Sequence, residues 1–164
     1  MKKIFYILAI CLFKFNFAYS LIEVDITRGN LDPLPIAVSP LYVDTQSDNY
    51  QDAKVKGLGD LISSVVEKNF KSTGLFNPLN KDAFVQKPDI AHLKPRFEDW
   101  SLITAQALIT GKILVKDEKL KVEFRLWDIA ANKEMIALAF TTTPSNWRRV
   151  AHIISDKIYE RLTG

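Results

Sequence analysis

The sequence predicts an α/β fold: a two-layer sandwich of two main helices on a mixed sheet that ends in an antiparallel three-strand meander. Two apolar stripes predict the helical layer. Leu58, Leu61, Ile62, Val65, Val66 and Phe70 recur at helical spacing, and so do Trp147, Val150, Ala151, Ile154, Ile158 and Leu162. Three closely linked extended segments predict the meander, and the middle one is the clearest. There Leu120, Val122, Phe124 and Leu126 fall on one side of a strand and Lys119, Lys121, Glu123 and Arg125 on the other. One face then packs on helices and the other meets solvent.

In chain order, the start reads as a targeting segment. Met1-Lys2-Lys3 is positive, Ile4 to Phe13 is uninterruptedly apolar, and Ala18-Tyr19-Ser20 places small residues where a signal peptidase reads. Residues 1–20 are therefore expected to be a signal peptide cut between Ser20 and Leu21. The apolar run is too short to cross a bilayer, which takes roughly 20 residues, and Lys14 and Asn16 interrupt its continuation, so no stable membrane insertion is expected after cleavage. The sole cysteine, Cys11, lies in this segment, so no disulfide or thiol chemistry is expected beyond it. Leu8-Ala9-Ile10-Cys11 is a poor lipidation box, because Ile10 is too large for the residue before a lipidated cysteine.

The net charge of +3 comes from Lys2, Lys3 and Lys14, which leaves the rest of the chain neutral. A neutral surface argues against nucleic acid and against anionic lipid as partners. The remainder is of ordinary single-domain length.

Ile22, Val24 and Ile26 alternate with Glu23, Asp25 and Thr27, the pattern of a short strand. Gly29, Asn30, Asp32 and Pro33 then make a flexible separator, so residues 21–33 are taken as a tethered strand and linker, and residues 34–164 as the domain proper. Residues 34–42 are apolar with Pro35 and Pro40 near the ends, which suits a buried strand. Gly74 is placed to cap the first main helix with positive φ, and Pro78 prevents it from resuming. Residues 81–94 read mainly as connection and residues 97–105 as a short helix bearing Trp100 and Ile103. Strands are expected at 107–116, 119–128 and 134–142, with tight links at Asp117-Glu118 and from Ala130 to Lys133, and the last helix at about 145–162.

Catalytic chemistry is scarce. His92 and His152 stand alone, without a cysteine or second histidine at ligand spacing, so no metal site is expected, and His152 is placed to pair with Asp156 one turn on. Gly57-Leu58-Gly59 opens a helix, but position 62 is Ile and no strand ends just before it, so no dinucleotide cofactor is expected. No phosphate-cradling loop or nucleophile elbow is present. Trp100, Trp127, Phe140 and Trp147 lie on or beside apolar periodic positions, where core packing is their default role. Neither a catalytic residue nor a small-molecule substrate is expected.

Four segments together resemble the N-terminal domain of the TolB family. They are the helical run from Trp147-Arg148-Arg149-Val150-Ala151-His152 to Arg161-Leu162-Thr163-Gly164; Thr73-Gly74-Leu75-Phe76-Asn77-Pro78-Leu79; Asp99-Trp100 with Ala105-Gln106-Ala107-Leu108-Ile109-Thr110-Gly111; and Phe124-Arg125-Leu126-Trp127-Asp128. The resemblance implies a non-enzymatic periplasmic adaptor of the Tol-Pal system, linking the inner-membrane TolA to the lipoprotein Pal and supporting envelope integrity and division. It also implies that the segment freed by signal cleavage contacts TolA. The matching positions are Leu21, Ile22, Glu23, Val24, Asp25, Ile26 and Thr27.

A short alternating strand on a loose tether can add to a partner's sheet edge. Read from the residues alone, the same strand also fits the edge of its own sheet. The family continues past Leu162-Thr163-Gly164 into a β-propeller that binds Pal, so Pal binding is not expected of these residues. A fragment, a split gene product and a remnant of a longer protein all fit that departure. The rival reading is an envelope assembly or secretion accessory with a different partner.

Overall fold

The computed structural model describes residues 22–24 and 32–164. The expected signal peptide, its cleavage site at Ser20 and Leu21, and Asp25, Ile26 and Thr27 of the expected contact strand lie outside the described residues.

The chain enters the domain through β1 (Leu34–Val38) and, after a break at Ser39-Pro40-Leu41, β2 (Tyr42–Val43). A short helix α1 (Ala53–Lys56), capped by the Asp52 carboxylate on the Lys54 N–H, leads into the first main helix α2 (Leu58–Thr73). As the sequence predicts, Gly74 ends α2 in the left-handed region at φ 72°. The chain then returns as β3 (Phe76–Pro78), parallel to β1. A parallel return needs a crossover helix, and α2 supplies it.

Two short helices, α3 (Pro88–Ala91) and α4 (Phe97–Leu102), precede the meander of β4 (Ala107–Lys116), β5 (Lys119–Asp128) and β6 (Lys133–Thr142). The second main helix, α5 (Trp147–Thr163), ends the chain. The strand order is β3-β1-β4-β5-β6, with β2 also pairing β4 beyond β1. Strands β1, β2 and β3 pair in parallel, while β4, β5 and β6 form antiparallel ladders. The β4–β5 turn places Asp117 and Glu118 at φ 50° and 59°, the geometry of a two-residue hairpin, and the Asp48 carboxylate braces it by accepting the Asp117 N–H.

The two main helices lie side by side on one face of the sheet. Ile62, Val66 and Phe70 of α2 meet Val150, Ile154 and Ile158 of α5 over Ile36, Ile109, Val122 and Phe124. Asn69 ties the helices together by donating to Ser155 Oγ at 2.9 Å. Glycine is required at two close approaches in this layer. A Cβ on Gly59 would lie 2.0 Å from the Leu41 carbonyl oxygen, and one on Gly111 would lie 2.4 Å from that of Glu123. Leu61, expected in the α2 stripe, is instead 45% exposed and lies outside the main core, lining an open groove.

The other face of the sheet is partly covered as well. The connector from Leu79 to Ala105 folds over it and makes a second, smaller core of Ala37, Ala91, Trp100, Leu108, Trp127 and Ile129. Several of its polar groups are paired in place, while Gln86 Nε2 is buried without a hydrogen-bond partner among the described residues. Trp127 Nε1 donates to Thr110 Oγ1 at 2.9 Å, and Gln86 Oε1 accepts both the Trp100 indole N–H and the Arg96 backbone N–H. The solvent-facing side that the alternation of β5 predicts is thus limited to the part near Lys119, Lys121 and Glu123.

Candidate partner-binding site

Of the seven residues expected to bind a partner, Ile22, Glu23 and Val24 are described, and they rest at one end of the sheet. The alternation holds: Ile22 and Val24 are half-buried against the main core, and Glu23 is exposed. They form no strand ladder with the domain. Among the described residues, two hydrogen bonds donated by their backbone N–H groups hold them. The Ile22 N–H donates to Asp128 Oδ2 at 3.1 Å, and the Val24 N–H donates to the Leu162 carbonyl at 2.7 Å. The second bond uses one of the carbonyls that the last turn of a helix leaves without an internal partner.

Asp128 organises this end of the molecule. It closes β5, is fully buried, and uses its other carboxylate oxygen to accept the Ala131 N–H at 2.8 Å, which shapes the turn into β6. A buried carboxylate is tolerated only with such partners, and here backbone N–H groups supply them. Sequence reasoning did not single Asp128 out. The signal lay in an acid that ends an apolar strand and follows a buried tryptophan.

The other residues weighed from sequence take structural positions. His92 is buried, stacks on Tyr42 with ring centroids 4.4 Å apart, and places Nδ1 3.0 Å from the Pro88 carbonyl. His152 is exposed, and its Nδ1 lies 3.0 Å from Asn69 Nδ2 on the facing helix, so its neighbour is Asn69 and not the expected Asp156. Trp100 and Trp127 are buried, and Phe140 and Trp147 pack half-buried against the core. Gly57-Leu58-Gly59 serves the close approach of α2 to Leu41. Among the described residues no group of His, Cys, Asp and Glu is arranged to hold a metal ion, and no helix is long and apolar enough to cross a membrane.

Charge elsewhere is locally paired. Asp44 accepts from Lys112 at 2.5 Å, which holds its carboxyl below the usual range and the Lys112 ammonium above its own. Burial raises the Glu67 carboxyl, opposed by Lys81 at 3.2 Å.

Comparison with known proteins places this architecture. The family model described as the TolB amino-terminal domain matches residues 22–135. The Tol-Pal system protein TolB of Pelagibacter ubique (strain HTCC1062) is 68% identical over 149 residues, which span 90% of this chain and 33% of that protein. The chain thus covers about a third of that relative's length. The crystal structure of TolB from Acinetobacter baumannii superposes with a TM-score of 0.63 at 20% identity, over 87% of this chain and 31% of that one. A hypothetical protein of Chlamydia trachomatis, CT253, shares the fold at a TM-score of 0.55 and 13% identity, over 79% of this chain and 98% of its own. On the family match and the identity to the Pelagibacter protein, the chain belongs to the TolB amino-terminal domain family.

Proposed function

We propose that the chain is a non-catalytic adaptor domain of the Tol-Pal system, exported to the periplasm behind a signal peptide at residues 1–20. It docks onto TolA through residues 21–27, on a tether that ends at residue 33, and supports outer-membrane integrity and cell division. Pal binding is not assigned to residues 34–164.

The observation that carries this reading is how lightly residues 22–24 are held. The Val24 hydrogen bond contributes about 1 kcal/mol and the Ile22 bond, which goes to a carboxylate, about 1.5–3 kcal/mol. Two half-covered aliphatic side chains contribute about 1 kcal/mol each. Ordering three backbone residues costs roughly 1–2 kcal/mol apiece. The two sides nearly cancel, so a partner's sheet edge needs little binding energy to draw the segment away. Once extended on that edge, its backbone bonds give affinity, and Glu23 with Asp25 faces basic partner residues.

Titrating labelled chain with the C-terminal domain of TolA, before and after deletion of residues 21–27, tests the assignment. Deletion is expected to weaken binding at least about tenfold, equivalent to some 1.4 kcal/mol. Unchanged affinity rejects it.

A further inference from the structure

At the end of the sheet opposite Asp128, a groove of about 760 Å³ opens between α1, the start of α2 and the segment entering α5. Its floor is apolar, with Val55, Leu58, Val115 and Trp147 presented together. Leu61, the α2 residue that the core leaves 45% exposed, completes it.

The rim is acidic. Asp48, Asp52 and Glu118 line it against one cation, Lys54, among the described residues. Two of these acids are fixed in place. Asp48 accepts the Asp117 N–H and Asp52 the Lys54 N–H, each at 2.7 Å through one oxygen. Nearby basic groups do not neutralise the rim. Lys116 follows Val115 in β4 and so projects from the opposite face of the sheet, as does its cross-strand partner Lys119. Arg148 lies over the Trp147 ring, its guanidinium 4.7 Å from the centroid, so Lys54 and Arg148 together still leave the three carboxylates in excess.

We propose that this groove is a second docking site, for a basic amphipathic segment of another protein. Its apolar side chains seat on Leu61 and Trp147, and its Lys or Arg residues meet Asp48, Asp52 and Glu118. Charge complementarity selects this occupant. An acidic or purely apolar segment would leave carboxylates at the rim unpaired beside apolar surface, whereas flanking cations pair them. The volume suits a few anchoring side chains of a helix or peptide lying in a groove, and is too small for a globular domain. The site is independent of residues 22–24. β4 separates them, running from Ala107, the partner of Asp128, to Val115 at the wall of the groove, at about 3.3 Å per residue. One chain could therefore hold two partners at opposite ends.

The test uses the ¹⁵N-labelled chain and two synthetic helical peptides of equal length, one built of Leu and Lys, the other of Leu and Glu. The Leu/Lys peptide is expected to shift the amides of Leu58, Leu61 and Val115 and the indole N–H of Trp147, and to leave the indoles of Trp100 and Trp127 unmoved. Glu118→Lys and Leu61→Lys, both at exposed positions, should each weaken it by about tenfold, a usual effect of removing an interface anchor. Deleting residues 21–27 should change nothing here, so this result stands apart from the one with TolA. The proposal is overturned if the Leu/Lys peptide fails to bind, if both peptides bind alike, if the Trp147 indole does not respond, or if neither substitution weakens binding.

Discussion

Single side chains in this domain act mainly by satisfying the backbone around them. Asp44 is a clear case. It accepts the Gln46 N–H at 2.9 Å and pairs with Lys112, and the Lys112 contact is the larger cause of its lowered pKa. A carboxyl whose pKa is lower folded than unfolded stabilises the fold above its unfolded value of about 3.8, and that contribution is lost as pH falls through the folded value. Asp44→Asn is therefore expected to lower stability at pH 7 by about 1 kcal/mol, the scale of a partly exposed ion pair. The difference between variant and parent should shrink toward zero as pH drops through the carboxylate range. Urea unfolding at pH 7 and at pH 3 measures it. Asp128 likewise satisfies backbone N–H groups, one oxygen accepting from Ile22 of the segment ahead of the domain and the other from Ala131 in the turn leaving β5.

Elements differ in how much they owe to their own sequence. The second core depends on Gln86, whose Oε1 receives two N–H groups beneath the connector. Gln86→Leu leaves both donors without that acceptor, and a buried unsatisfied donor costs about 1–3 kcal/mol. Limited proteolysis is expected to cut the variant between residues 84 and 102 faster than the parent, while β4, β5 and β6 stay protected. Strands β4 and β5 were legible to the residue, because ten-residue runs of alternation and apolar character leave no rival period. Both main helices were legible for the same reason. β3 was not. Three residues ending in Pro78 carry no period of their own, and they are extended because they lie beside β1. Residues 81–94 read as polar linkage because their apolar residues Phe84 and Ala91 are too spread along the chain to show a pattern, and only the fold gathers them against Trp100 of the short helix that the sequence does predict. For the candidate site, alternation sets Ile22 and Val24 on one side and Glu23 on the other, but nothing local announces that Asp128 and Leu162 receive their N–H groups.

At the scale of the whole molecule, the arrangement is polar. One end carries residues 22–24, Asp128 and the C-terminal turn of α5, and the other carries the β4–β5 turn and the groove floored by Leu61 and Trp147. Between them lies a core in which helices and sheet are joined by ordinary apolar packing. A rigid body with a lightly held segment at one end suits an adaptor, because the segment can leave without repacking the core. That account makes residues 22–24 the place where binding of TolA is felt first. The direct measurement is an amide exchange and chemical-shift map of the ¹⁵N-labelled chain on titration with the C-terminal domain of TolA. The account predicts that the Ile22 and Val24 amides leave their contacts with Asp128 and Leu162 and become protected against the partner, while Ile62, Ile113 and Ile154 keep their environment. A complex in which Ile22 and Val24 stay unchanged and the shifts fall elsewhere would contradict it.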